Sequence, residues 1–303
     1  MTFNLNQVSP QNGRIAIVTG ANAGLGYEIT LSMAKLGMKV VMACRNMEKA
    51  ETSRQQILAL APKADLEILH VDLSKLASVR QAADVFKSNY KRLNILVNNA
   101  GIMYPEYFKT EDGFESQMAT NCFGHFLLTA LLIDRFPDSS DSRITWLGSS
   151  AHKAAKIDFE NLHFDKNYSK IASYGQSKLA CLLYSFELDR KLKIAGKKIL
   201  SNCAHPGGVN TDLSRNMSPF LLGILRRTIL PFLTHSIKSG CSPILQAALS
   251  KEAQGGKYYG PQGLLEMSGP PGIARVSKNA KDLKIAKKLW LLSEQLTGAS
   301  YSF

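Results

Sequence analysis

Short apolar runs alternate with helical patterns along most of the chain. Arg14 to Thr19 reads as a buried strand, and Leu25 to Leu36 carries apolar positions three and four apart, the period of a helix. Lys39 to Ala43 is a second strand, followed by a helix over Met47 to Leu60. The strand signal returns at Leu66 to Val71, Leu93 to Val97, Arg143 to Leu147 and Ile199 to Ala204. Strands separated by helical stretches pair in parallel through right-handed crossovers. The expected architecture is α/β, a single doubly wound parallel sheet of about seven strands with helices on both faces. Ligands then bind beyond the carboxyl ends of the strands. No repeat, low-complexity tract or linker divides the chain, so residues 1–303 are expected to form one domain. Residues 211–236, the least regular stretch, are where a substrate lid is expected.

Two apolar stretches invite a membrane reading. Ser116 to Ile133 is the longest uncharged run, yet it holds Gln117, Asn121 and His125, which suits a buried helix better than a span. Pro219 to Leu233 is broken by Arg226, Arg227 and Pro231. No membrane span is expected, and Met1 to Arg14 lacks the apolar core of a signal peptide. The chain is 45% hydrophobic and 20% charged, which excludes a disordered or collagen-like protein. Its five cysteines are far apart and odd in number, which fits free thiols in a cytoplasmic, reducing setting rather than a disulfide framework or metal site. The net charge of +13 attracts anions. No basic motif with interleaved aromatics accompanies it, so nucleic acid is not an expected partner. The basic stretch Lys278 to Leu296 reads as a terminal helix with a solvated face.

The chemistry starts after the first strand, at Thr19-Gly20-Ala21-Asn22-Ala23-Gly24-Leu25-Gly26. Glycines placed between a strand and a helix permit a sharp turn and let the helix N-terminus approach a diphosphate. At the end of the second strand stands Cys44-Arg45-Asn46, where a carboxylate for a ribose hydroxyl is common. A guanidinium there matches a 2′-phosphate instead, so the expected cofactor is NADP(H). Further on, Tyr174 and Lys178 stand four apart and share a helix face. They come with Asn98-Asn99-Ala100-Gly101, Asn121, Ser149-Ser150 and Pro206-Gly207. His205, beside that proline, lacks a second ligand at metal spacing and reads as structural; no metal is expected.

This ordered set resembles the short-chain dehydrogenase/reductase family over about Arg14 to Leu213, which implies a Rossmann-type fold. The resemblance implies that Gly20, Asn22, Gly24, Leu25 and Gly26 line the diphosphate side, with Arg45 and Asn46 at the 2′-phosphate. Asp72 and Leu73 would flank the adenine, and Asn98, Ala100 and Gly101 would pass beside the ribose. Val209 and Thr211 would meet the nicotinamide carboxamide. The catalytic tetrad maps to Asn121, Ser150, Tyr174 and Lys178, with adjacent Ser149 as the alternative to Ser150. The stretch between Ser150 and Tyr174 is longer than usual for the family. It looks like the subgroup of retinol dehydrogenases and protochlorophyllide reductases. This chain shows no hydrophobic anchor like that of the former, and has Gly208 where the latter carry cysteine.

The implied chemistry is an alcohol–carbonyl interconversion by hydride transfer, on an apolar, retinoid- or lipid-like substrate. Tyr174 would act as general acid/base, with its phenolate favoured by the Lys178 cation. Ser150 would hold the substrate oxygen, Lys178 the nicotinamide ribose, and Asn121 a water leading to solvent. Two other readings are a catalytically silent NADP(H)-binding regulator and a protochlorophyllide-reductase-like enzyme reducing a C=C bond. A homo-oligomer, dimer or tetramer, is implied through the helices around Asn121 and Tyr174. The apolar-basic segment Pro219 to Leu233 also fits peripheral contact with an anionic membrane.

Overall fold

The computed structural model describes residues 3–208 and 236–303. The alternating first part forms β1 (Ile15–Thr19), α1 (Gly24–Lys35), β2 (Lys39–Cys44), α2 (Met47–Leu60), β3 (Asp65–His70), α3 (Leu76–Asn89) and β4 (Ile95–Asn98). A short turn, α4 (Ser116–Met118), runs through a π-helical stretch, Ala119–Phe123, into α5 (Gly124–Leu132). Then come β5 (Arg143–Leu147), α6 (Lys170–Ile194), β6 (Leu200–Ala204), α7 (Ile237–Leu249), β7 (Tyr258–Pro261), β8 (Pro271–Ile273) and α8 (Leu283–Thr297).

All eight strands join one sheet in the order β3-β2-β1-β4-β5-β6-β7-β8, parallel except for β8. The order reverses between β1 and β4, and there the crevice for a dinucleotide opens. Alternate strand residues feed opposite faces. Ile17, Val41 and Ala43 pack with Phe86, Phe126 and Leu182 on one side. Ala16, Val40 and Met42 pack with Ile29, Met33 and Ile244 on the other. A sheet buried on both faces explains why its strands read as unbroken apolar runs.

The expected strands and helices are present within one or two residues at their ends, except that the terminal helix expected from Lys278 begins at Leu283, after a separate 3-10 turn at Asn279–Lys281. Among the described residues the sheet has eight strands, against the expected about seven. β8 is a three-residue edge strand made of Pro271, Gly272 and Ile273, too short to leave a periodic signal. Ser116 to Ile133 is buried inside the fold, and among the described residues no helix is long and apolar enough to cross a membrane. Val209, Thr211 and the expected lid, apart from Ser236, lie outside the described residues.

The helices around Asn121 and Tyr174, the expected oligomer face, are covered in part by the chain itself. α5 is buried along almost its whole length, and α6 is buried without interruption from Ser173 to Ser185. The chain's own C-terminal part provides the cover: Trp290 of α8 meets Phe126 edge-on at 4.9 Å, and Tyr301 donates its hydroxyl to Phe126 O at 2.8 Å.

Candidate active site

The glycine turn closes on itself. A Cβ at Gly26 would stand 2.1 Å from Gly20 O, so only glycine lets the start of α1 lie against the end of β1. The N-cap Ala23 offers no side chain to the helix, and the first turn holds no acid. The amide groups at that end are thus open to an anion. Ser53 of α2 donates to Asn22 O at 2.9 Å and steadies the turn.

A cavity of about 720 Å³ spreads from this turn over the carboxyl ends of β1 to β3. Gly20, Asn22, Gly24, Leu25, Gly26, Arg45, Asn46, Asp72, Leu73, Ala100 and Gly101 all line it, eleven of the expected cofactor residues. Arg45 is exposed at its mouth, with Lys49 beside it. Asn46 accepts from Lys49 N at 2.8 Å and caps α2. Asp72 Oδ1 accepts from Ser74 N and Oγ at 3.0 and 2.6 Å. The cradle, the bare helix end and the arginine together fit a phosphorylated dinucleotide. Asn98 is the exception: its side chain is buried and donates to Thr129 Oγ1 at 3.0 Å. Asn99 takes the cleft position instead, lining this cavity and the next.

A second cavity, about 920 Å³, continues from the first and shares Leu25, Asn99, Gly101, Met103 and Leu147 with it. Ser149, Ser150, Tyr174 and Lys178 line it. Tyr174 and Lys178 share a face of α6, with Lys178 Nζ 5.8 Å from the Tyr174 ring centre. Lys178 Nζ donates to Leu147 O at 2.9 Å. Burial opposes its charge, but Tyr174 and the thiols of Cys181, Cys122 and Cys203 outweigh that and raise its pKa. The ammonium is therefore held as a cation beside the phenol.

The two serines separate by task. Ser149 Oγ accepts from Ala151 N at 3.2 Å and caps the 3-10 turn Ser150–Ala154. Ser150 is not used in that cap. Both hydroxyl-bearing residues line the cavity.

Asn121 lies in the π-helical stretch, away from both cavity walls. Its Oδ1 accepts from Ile102 N at 2.8 Å, and Nδ2 donates to Ile102 O at 3.1 Å and Ser177 Oγ at 2.9 Å. The side chain thus pins the strip after Gly101 to α6. Behind it, His125 donates Nδ1–H to Asn121 O at 3.0 Å and receives Thr19 Oγ1 at Nε2, 2.8 Å away. Thr19 Oγ1 also accepts the amides of Asn99 and Ala100, both at 2.9 Å. Burial drives the His125 pKa down to about 4, so the ring is neutral and its two nitrogens keep distinct roles.

Two contributors were not legible beforehand. Tyr104 meets Tyr174 edge-on at 5.3 Å, from a backbone φ of 59° held by Tyr104 N donating to Gln117 Oε1 at 3.0 Å. His125 completes the Thr19–Asn121 link. Neither sits in a recognisable spacing. The neutral amide–imidazole pair at four residues, Asn121 and His125, is the one local signal for the latter.

Residues 14–221 match the family described as short chain dehydrogenase. Retinol dehydrogenase 12 of Mus musculus is 36% identical over 291 residues, covering 95% of this chain and 88% of its own length. Polyprenol dehydrogenase of Mus musculus is 37% identical over 296 residues, covering 96% and 85%. The crystal structure of an uncharacterized protein from Mycobacterium paratuberculosis superposes with a TM-score of 0.83, at 33% identity and full coverage of both chains.

Proposed function

The chain belongs to the short-chain dehydrogenase family, an oxidoreductase working between an alcohol and a carbonyl, and from that premise we propose that it uses NADP(H) on a bulky apolar substrate. One observation carries the reading: the cavity with Arg45 at its mouth opens directly into the cavity that holds Ser150, Tyr174 and Lys178. A dinucleotide lying along the joined cleft spans both. The substrate end is lined by Met103, Tyr104, Ala154, Phe164 and Ile171, which suits an apolar molecule. The two named relatives are described as dehydrogenases of retinol and polyprenol, both long isoprenoid alcohols. An isoprenoid-like alcohol or aldehyde is the substrate class we assign.

The dinucleotide, when bound, supplies or accepts the hydride. The chain does the rest. Ser150 Oγ donates to the substrate oxygen and stabilises the charge that grows there during reduction. Tyr174 gives its proton to that oxygen, and takes one back in the alcohol-oxidising direction. Lys178, held cationic and anchored on Leu147 O, favours the phenolate that Tyr174 becomes. Asn121 keeps Gly101 and Ile102 against α6, so the cleft wall beside Lys178 stays in place.

The test is cofactor consumption with NADPH against NADH, over short, aromatic and long isoprenoid aldehydes. Expected is NADPH-preferring turnover that improves with the length of the apolar chain and vanishes in Tyr174→Phe. Tight NADPH binding with no turnover on any carbonyl would replace the enzyme with a cofactor-binding regulator.

A further inference from the structure

Beyond the reacting groups, one buried carboxylate joins parts of the cavity wall that are distant in sequence. Glu266 lies in the connection between β7 and β8, and its side chain is only 11% exposed. Its Oε2 receives Lys153 Nζ at 2.6 Å, and its Oε1 receives Arg275 N at 2.7 Å. Oε2 also stands 3.8 Å from His205 Nε2. Burial works against its charge, but Lys153 and the Arg275 amide lower its pKa, so it stays ionised.

Lys153 belongs to the 3-10 turn that begins at Ser150. His205 leads directly into Pro206 and Gly207, and all three line the substrate cavity. The backbone beside Glu266 touches that turn as well. Met267 O accepts from Gly208 N at 2.7 Å, and a Cβ at Gly207 would stand 2.4 Å from Met267 O. His152, next to Lys153, adds a parallel link: its Nδ1 donates to Ser149 O at 2.6 Å, and its Nε2 accepts Ser277 N at 3.3 Å.

The local backbone is costly. Leu265 and Glu266 have φ of 52° and 59°, two consecutive side-chain-bearing residues in the left-handed region. Such conformations persist only where the surroundings impose them. Apolar packing is not what imposes this one, because Leu264 and Leu265 are 74% and 71% exposed. What enters the fold is the Glu266 carboxylate.

We propose that Glu266 is a positioning residue for the reaction, its carboxylate tying the turn that carries Ser150 to the Pro206–Gly207 turn across the substrate end of the cleft. It touches neither substrate nor cofactor. It sets the distance between the hydroxyl that holds the substrate oxygen and the opposite wall. The role rests on the proposed carbonyl chemistry, but the tie itself can be observed without turnover.

Glu266→Ala removes the contacts to Lys153, Arg275 N and His205; Glu266→Gln keeps an acceptor for Arg275 N and removes the charge facing Lys153 and His205. Hydrogen exchange is followed in peptides covering residues 149–155 and 203–208, with the β1–α1 peptide as internal reference. Expected is exchange about tenfold faster in both wall peptides of the alanine variant, and unchanged in the reference, because local opening is governed by local contacts. Alongside, kcat for the best aldehyde falls by about a hundredfold in Glu266→Ala and about tenfold in Glu266→Gln, as misplaced reacting groups do. NADPH affinity, read by fluorescence titration, stays within about twofold, since its adenosine end is held elsewhere. If the alanine variant does not fold, the glutamine variant carries both readouts. Unaltered exchange in the wall peptides overturns the tie, whether or not the wild type turns over a carbonyl. Faster exchange with unaltered kcat overturns the positioning role. A kcat loss matched by an equal loss of NADPH affinity also overturns it, because the defect would then be general. A wild type without turnover on any aldehyde sinks the carbonyl reading alone.

Discussion

Tyr174 is 8% exposed, with Lys178 on one side and the edge of Tyr104 on the other. A phenol so enclosed has a fixed direction for its hydroxyl, and that is what an acid/base group needs. Tyr174→Phe is expected to lower turnover by about a thousandfold while NADPH still binds, since general acid–base catalysis supplies about 10² to 10⁴. Arg45 presents the opposite situation: an exposed guanidinium whose value depends on a ligand. Arg45→Ala should weaken NADPH binding by about ten- to a hundredfold and leave NADH nearly unaffected, the range of a charge-assisted contact to phosphate. Equal losses for both cofactors, measured by fluorescence titration, would remove Arg45 from 2′-phosphate recognition. Both residues were legible in the sequence because their chemistry is carried by local spacing: four residues on one helix turn, or the end of a strand.

At the scale of elements, the π-helical stretch Ala119–Phe123 joins α4 to α5 and presents Asn121 to the strip after β4. His125 and Thr19 connect that stretch to the end of β1. This junction depends on a neutral imidazole. The folded His125 titrates near 4 against an ordinary value of 6.5, so between those pH values the unfolded chain binds a proton that the folded chain refuses. Its stabilisation is complete above about pH 6.5 and is lost as pH falls toward 4, at most about 3 kcal/mol. The His152 and His163 pKa values are lowered in the same sense, also mainly by burial. Denaturant unfolding at pH 7.5 and 5.0 is the check, with His125→Gln expected to show a smaller difference between the two. An equal pH dependence in wild type and variant would clear His125 of the role. Periodicity located these helices well, but a π turn is one inserted residue, and only packing reveals it.

The whole molecule decides what the helices face. α8 and the tail beyond it cover α5 and α6, through Trp290, Tyr301 and the Tyr184–Ser293 hydroxyl pair at 2.6 Å. Light-scattering chromatography of the intact chain at micromolar concentration is the reference for what happens when this cover is removed. Truncation before Leu283 should expose Phe126 and Tyr184 and cause self-association or a fall in melting temperature.

Sequence alone determined the strand–helix alternation, the glycine turn, Arg45 and the Tyr174–Lys178 pair. Each is encoded within a few neighbouring residues, by side-chain periodicity or by the backbone freedom of glycine. Tertiary structure decided the rest: that Asn99 and not Asn98 lines the cleft, that Ser149 rather than Ser150 caps the 3-10 turn, and that β7 and β8 extend the sheet. It also brought Glu266 to Lys153, 113 residues away in the chain. Such partners meet because burying both faces of the sheet fixes how its edges and loops approach, and a distance in space of that kind leaves no mark in local sequence.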